Sequence, residues 1–177
     1  MITNYQLAKL MLMAGGIPSR KRIQKTVHLL QCAGCDFGME FRLHYYGPYC
    51  SALAERIDCL TSSGVFVETS QSTEVGTQYN YRLNEDLVPS LHEHEKSPEG
   101  VAARLDIERF QDLLQKLVAT KPRVLELAST MAAFFQAERD WDTAQSQAAE
   151  FKAESTSSPV MREARRLAEE VIGDTHA

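Results

Sequence analysis

No apolar run in the chain approaches the ~20 residues needed to cross a bilayer, and the first residues lack the succession of basic region, apolar stretch and small-residue cleavage site. The expectation is a cytoplasmic protein without a membrane partner. Cysteine is scarce: Cys32, Cys35, Cys50 and Cys59 stand in 177 residues with no leader signal in view, so reduced thiols are expected rather than a disulfide framework. An excess of positive charge is also missing. With 19 Lys and Arg against 24 Asp and Glu and a net charge of -5, the composition argues against binding nucleic acid by bulk electrostatics, though it leaves room for a local basic patch. There is no glycine-rich phosphate loop, no nucleophile elbow, and no Ser or Cys whose acid–base partners can be named from spacing, so no enzyme is expected.

What is present is enough for one sizeable core or two small ones: 44% hydrophobic and 24% charged residues. Leu7, Leu10 and Met11 fall at helical spacing before Gly15, Gly16 and Pro18, which predicts a first helix over 4–14. Ser19 is placed to cap a second helix over 20–33, with Ile23, Val27 and Leu30 as its stripe and Gly34 as its end. Period-two alternation of Met39, Phe41, Leu43 and Tyr45 predicts a short half-buried strand, which Pro48 breaks before a third helix buries Leu53, Ile57 and Leu60. Residues 65–68 and 78–83 read as two more strands around a polar stretch. That order predicts a mainly α fold with a small β wing, a winged helix-turn-helix domain over residues 1–84.

Residues 85–103 lose periodicity and read as a linker with one short helical turn. Residues 104–177 are expected to be helical, packing on the first domain or forming the interface of a homodimer. Within them Leu105 to Thr120 reads as one helix, Pro122 opens a second, Asp140 or Asp142 caps a third, and Ser158-Pro159 opens a fourth ending at Gly173.

The combination RKRIQKTVHLL, FRLHYYGPYCSAL and IDCLTSSGVF, followed by PRVLELASTMAAFF, resembles the YwgA-like bacterial family of small winged-helix proteins. More distantly the same elements are similar to the SocA/Panacea antitoxin domain, although HYYGPYCS departs from that group's tryptophan-bearing corner. The resemblance implies a fold more than an activity.

Arg20, Lys21, Arg22 and Lys25 crowd the start of the second helix, where the helix dipole disfavours cations by ~0.3–1 kcal/mol each. Local helix stability does not explain them. One reading is a contact with an acidic partner, either phosphate or a carboxylate-rich protein face; the other is a solvated or internally paired cluster. His44 and Tyr46, on the aromatic corner around Gly47-Pro48, join them as candidate partner-binding residues, whereas Tyr45 and Tyr49 are expected to pack structurally.

The third helix of a winged helix normally enters the major groove, but here its outward positions include Glu55 and Asp58, with Arg56 as the one cation. Cys32 and Cys35 have the gap of a zinc or redox pair, with His28 nearby. A second close pair is missing, and His92 and His94 fall in the linker, where solvent exposure is expected, so neither metal nor cofactor is expected. The reading is a non-enzymatic intracellular adaptor or regulatory protein holding another protein. A DNA-binding transcriptional regulator and an antitoxin-like toxin neutraliser are the alternatives.

Overall fold

Two helices carry the architecture: α2 (Arg20–Cys32) and α7 (Pro122–Glu138), which pack against each other in a computed structural model describing residues 4–74 and 76–173. The Ser19 hydroxyl accepts from the Arg22 amide at 3.2 Å, satisfying an otherwise orphaned donor at the start of α2. The expected stripe of Ile23, Val27 and Leu30 is buried, but Gln24, Lys25, Thr26, His28 and Leu29 are buried too, so α2 is enclosed on more than one side. In α7 Pro122 occupies the first turn, where its missing N–H costs nothing, and small residues such as Ala128 and Ala132 let neighbouring helices approach closely.

In chain order, α1 (Asn4–Ala14) leads through β1 (Ile17–Pro18) into α2; β2 (Arg42–His44) and β3 (Gly47–Tyr49) form a hairpin; α3 (Ser51–Ser62) precedes β4 (Phe66–Thr73) and β5 (Gly76–Leu83). The sheet is antiparallel in the order β1-β5-β4, with Ile17 opposite Tyr81 and Phe66 opposite Leu83. The β4–β5 hairpin is longer than apolar alternation predicts. Its outer half is polar and exposed, since cross-strand backbone hydrogen bonds need no buried side chains.

Three expectations need correction. The strand over Met39 to Tyr45 shrinks to Arg42–His44, and Pro48, expected to break the strand, itself lies in β3 opposite Leu43. Met39 is buried, but Leu43 and Tyr45 are 42% and 79% exposed, because the hairpin is seated through its backbone and the buried Gly47 and Pro48, which leaves these side chains to solvent. The stretch after Glu85 is not an irregular linker: a 3-10 turn over Glu85–Leu87 is followed by α4 (Val88–His94) and α5 (Pro98–Glu108). Each of these short helices buries only a residue or two, Leu91 in α4 and Gly100 and Ile107 in α5, too few to register as periodicity. Third, the helix expected over Leu105 to Thr120 breaks at Arg109-Phe110, and α6 spans Gln111–Ala119.

Burial explains the placement of α4 and α5. Lys9 of α1, almost wholly buried, pairs with Glu95 and Glu108 at 2.8 Å each, tying both helices to the N-terminal helix. A Cβ at Gly100 would lie 2.0 Å from the His94 carbonyl oxygen, so only glycine permits this approach.

Beyond α7, Asp140 caps α8 (Trp141–Phe151) by accepting from the Thr143 amide at 2.7 Å, and α9 (Pro159–Gly173) follows. One cluster of buried apolar side chains runs from Leu7 on α1 to Val171 on α9, so N-terminal and C-terminal helices share a core. Among the described residues no helix is long and apolar enough to cross a membrane.

Candidate functional site

Along α2, polar side chains grip the backbone of the segment that follows. Gln31 donates to the Met39 carbonyl at 2.7 Å and accepts from its amide at 3.0 Å; Gln24 does the same to Cys50, at 2.9 and 3.0 Å. Between these two clamps, Lys25 Nζ donates to the Pro48 carbonyl at 2.6 Å, and Lys152 Nζ donates to the Tyr45 carbonyl at 3.3 Å. The turn itself fits closely. Gly47 has φ +88°, and a Cβ there would sit 2.6 Å from Thr130 Oγ1 and 3.4 Å from Lys25 Nζ.

Because the grip is on the backbone, the hairpin's side chains other than Pro48 are left to solvent. Tyr46 is 59% exposed, and Tyr49 and His44 are exposed as well. The expectation that Tyr45 and Tyr49 pack inward is therefore overturned: Tyr45 rests edge-on against Tyr46 at 5.0 Å, and Tyr49 lies near His44 at 5.8 Å. The hairpin forms a ridge between hollows. One of about 650 Å³ gathers Arg20, Lys21, Lys25, His44 and Tyr46, walled by Ile57 and Asp58 of α3. Another of about 770 Å³ opens beside Arg42, Tyr49 and Arg56, and a third of about 500 Å³ lies between the hairpin and α7.

Of the candidate residues, all but Arg22 line the first hollow. Arg20 donates to Tyr81 Oη at 2.8 Å and pairs with Asp58, with Glu68 3.5 Å away. These bonds, led by the one to Tyr81, hold the guanidinium firmly charged. Lys21 pairs with Glu126 at 2.9 Å and stands 5.1 Å from the Tyr46 ring centroid. Arg22 turns the other way, donating to the carbonyls of Leu117, Val118 and Thr120 at 3.3, 2.9 and 2.7 Å, where it satisfies the orphaned C-terminus of α6. The cationic cluster is thus largely paired within the molecule.

Lys25 is the exception. It is 3% exposed, and among the described residues it has no carboxylate within 4.0 Å; the two oxygens of Glu126 are taken by Lys21 and Lys152. Burial first, then repulsion from Lys152, bring its ammonium from 10.5 down to about 7, against the attraction of Glu126. Gln24, Gln31, Glu126 and Lys152 were missed in the sequence; a side chain gripping backbone, or a partner about a hundred residues away, has no spacing signature.

Nearly one turn further along α2, His28 Nδ1 lies 3.0 Å from Ser129 Oγ, and its Nε2 lies 3.7 Å from Cys32 Sγ. Burial pushes the His28 imidazole down to about 3 and the Cys32 thiol up to about 12, which keeps both groups neutral. All four cysteines are free thiols, and among the described residues no group of three or more His, Cys, Asp or Glu could hold a metal ion. His92 and His94 lie on α4 rather than in a loop, and neighbouring Glu95 is buried.

The α3 face keeps Glu55 and Asp58 exposed, Asp58 beside Arg20, while Arg56 bonds to Asn4. Strand β4 carries no Lys or Arg, and Arg82 of β5 faces Glu85 at 4.0 Å.

The class these observations define is a mainly helical protein with a small antiparallel sheet and an aromatic hairpin pinned to its central helix. No known protein-family profile matches the chain. It is 28% identical over 129 residues to "Uncharacterized protein YwgA" of Bacillus subtilis (strain 168), covering 73% of this chain and 72% of that protein. The similarity supports a YwgA-like family and brings no activity with it.

Proposed function

We propose that the protein is a non-enzymatic adaptor or regulatory protein, and that the ridge formed by β2 and β3, with the hollow toward α3, holds a segment of another protein. The N-terminal part is read as a winged helix, supported by the order α1-β1-α2-α3-β4-β5 and by the pairing of β1 with the β4–β5 hairpin. The observation that carries the binding role is the exposure of Tyr45 and Tyr46 on a turn whose backbone is fixed by Lys25 and Lys152.

A fixed turn presents its aromatic rings without the ordering cost of ~0.5–1.5 kcal/mol per immobilised side chain that a flexible loop would bear. Covering about 100 Å² of apolar surface on each of the two rings contributes roughly 2.5 kcal/mol apiece, the scale of an interface hot spot. Arg20 and Lys21 flank the hollow at its edge, where partly exposed charges set orientation and on-rate more than affinity.

The test is the double substitution Tyr45→Ala and Tyr46→Ala. The account expects an unchanged fold, since both rings are exposed, and retention of the native partner weakened by at least about tenfold. Retention at wild-type strength sinks it.

DNA binding is the second reading, favoured by the order of elements. Its obstacle is the exposed carboxylate pair on α3, because phosphate would meet Glu55 and Asp58 first. It predicts a shift of duplex fragments that falls steeply with salt and that strengthens when Glu55 becomes Gln.

A further inference from the structure

Lys25 is buried, lines a hollow of about 650 Å³ and has no carboxylate partner among the described residues. A hollow of that size suits a small organic molecule. A buried lysine used only for structure is normally paired, because an isolated ammonium away from water is costly. Here burial and the cations Lys152 and Lys21 outweigh the attraction of Glu126. Lys21 and His28 share its helix, Lys152 follows α8, and Glu126 of α7 is already held by Lys21 and Lys152. From the hairpin come His44, Tyr46 and Tyr49, and from α3 comes Asp58, itself bound to Arg20. Cationic neighbours and desolvation are the two means by which an amine is kept neutral and nucleophilic near pH 7. The Pro48 carbonyl only accepts, so a neutral Lys25 that donates to it keeps its lone pair free.

We propose that Lys25 is an amine nucleophile that captures a small aldehyde or ketone in the hollow between α2, the β2–β3 hairpin and α3. The Nζ lone pair forms the C–N bond as the carbonyl π pair moves to oxygen. One amine proton passes to that oxygen to give the carbinolamine, and loss of water then leaves the imine, so amine and carbonyl yield imine plus one water. Lys25 sits in the hollow that the adaptor reading gives to a protein segment, and its chemistry needs no such segment.

The experiment exposes the full chain briefly to benzaldehyde with sodium cyanoborohydride, which reduces the imine to a stable secondary amine, and maps the labelled lysines by mass spectrometry. At pH 7 the expected result is labelling of Lys25 at least about tenfold faster than Lys9, Lys21, Lys96, Lys116, Lys121 or Lys152, because an ordinary lysine is neutral in well under 1% of molecules there. The rate should rise through a midpoint near 7, and Lys152→Met should move that midpoint upward. Label on exposed Lys96 and Lys121 with none on Lys25, or a midpoint near that of the other lysines, overturns the proposal. The wild-type map reads the outcome without any substitution at Lys25.

Discussion

Gly47 shows how one residue fixes the site. Its positive φ and the 2.6 Å gap to Thr130 Oγ1 leave no room for a methyl group, so Gly47→Ala should destabilise the fold by about 1–3 kcal/mol, read as a lowered denaturant midpoint. A Gly47→Ala protein as stable as wild type would mean the turn is not seated on α7. Lys25 adds a pH dependence of its own. Its proton is held more weakly in the folded state, near 7, than in the unfolded chain, near 10.5, so the unfolded state binds more protons between those values and stability rises with pH across that window. Lys25→Met should flatten this rise, measured by urea unfolding at pH 7 and pH 9. Neither residue announces its role in sequence: Gly47 reads as a turn glycine, and Lys25 reads as one member of a charge run that would ordinarily be solvated.

At the scale of elements, α2 works as a rail whose polar side chains fasten other segments. Arg22 closes the C-terminus of α6 with three carbonyl contacts, so Arg22→Met should cost about 1.5–3 kcal/mol and should raise hydrogen exchange first in α6. Protection of α6 equal to wild type would contradict this. Glu95 ties α4 to α1: burial raises its carboxyl, but hydrogen bonds from Lys9 and Tyr5 outweigh that and hold it below the usual range. The stabilisation is present above the unfolded carboxylate pKa and is lost as pH falls through the folded one. Glu95→Gln should therefore shift the acid-unfolding midpoint toward neutral pH and blunt the stability loss below about pH 4.5. The helical stripes of α1, α2, α3 and α7 were legible because each buries a periodic face. Helices α4 and α5 were not, since an ion pair and a close glycine contact hold them in place of an apolar stripe.

For the whole molecule, one core joins the two halves of the chain, and the hairpin is fastened to both: to α2 through Gln24, Lys25 and Gln31, and to the C-terminal helices through Lys152 and the Thr130 contact. The aromatic corner was visible in the sequence as HYYGPY; its outward presentation was not, because alternation cannot tell a strand that packs by its side chains from one held by its backbone. The most direct test replaces Tyr46 with a photo-crosslinking phenylalanine analogue in the native cell, with Tyr79 on β5, also exposed, as the control position. The account predicts a discrete protein adduct from position 46 that is absent from position 79. Equal adducts at both positions, or nucleic acid recovered from position 46 in place of protein, would contradict it.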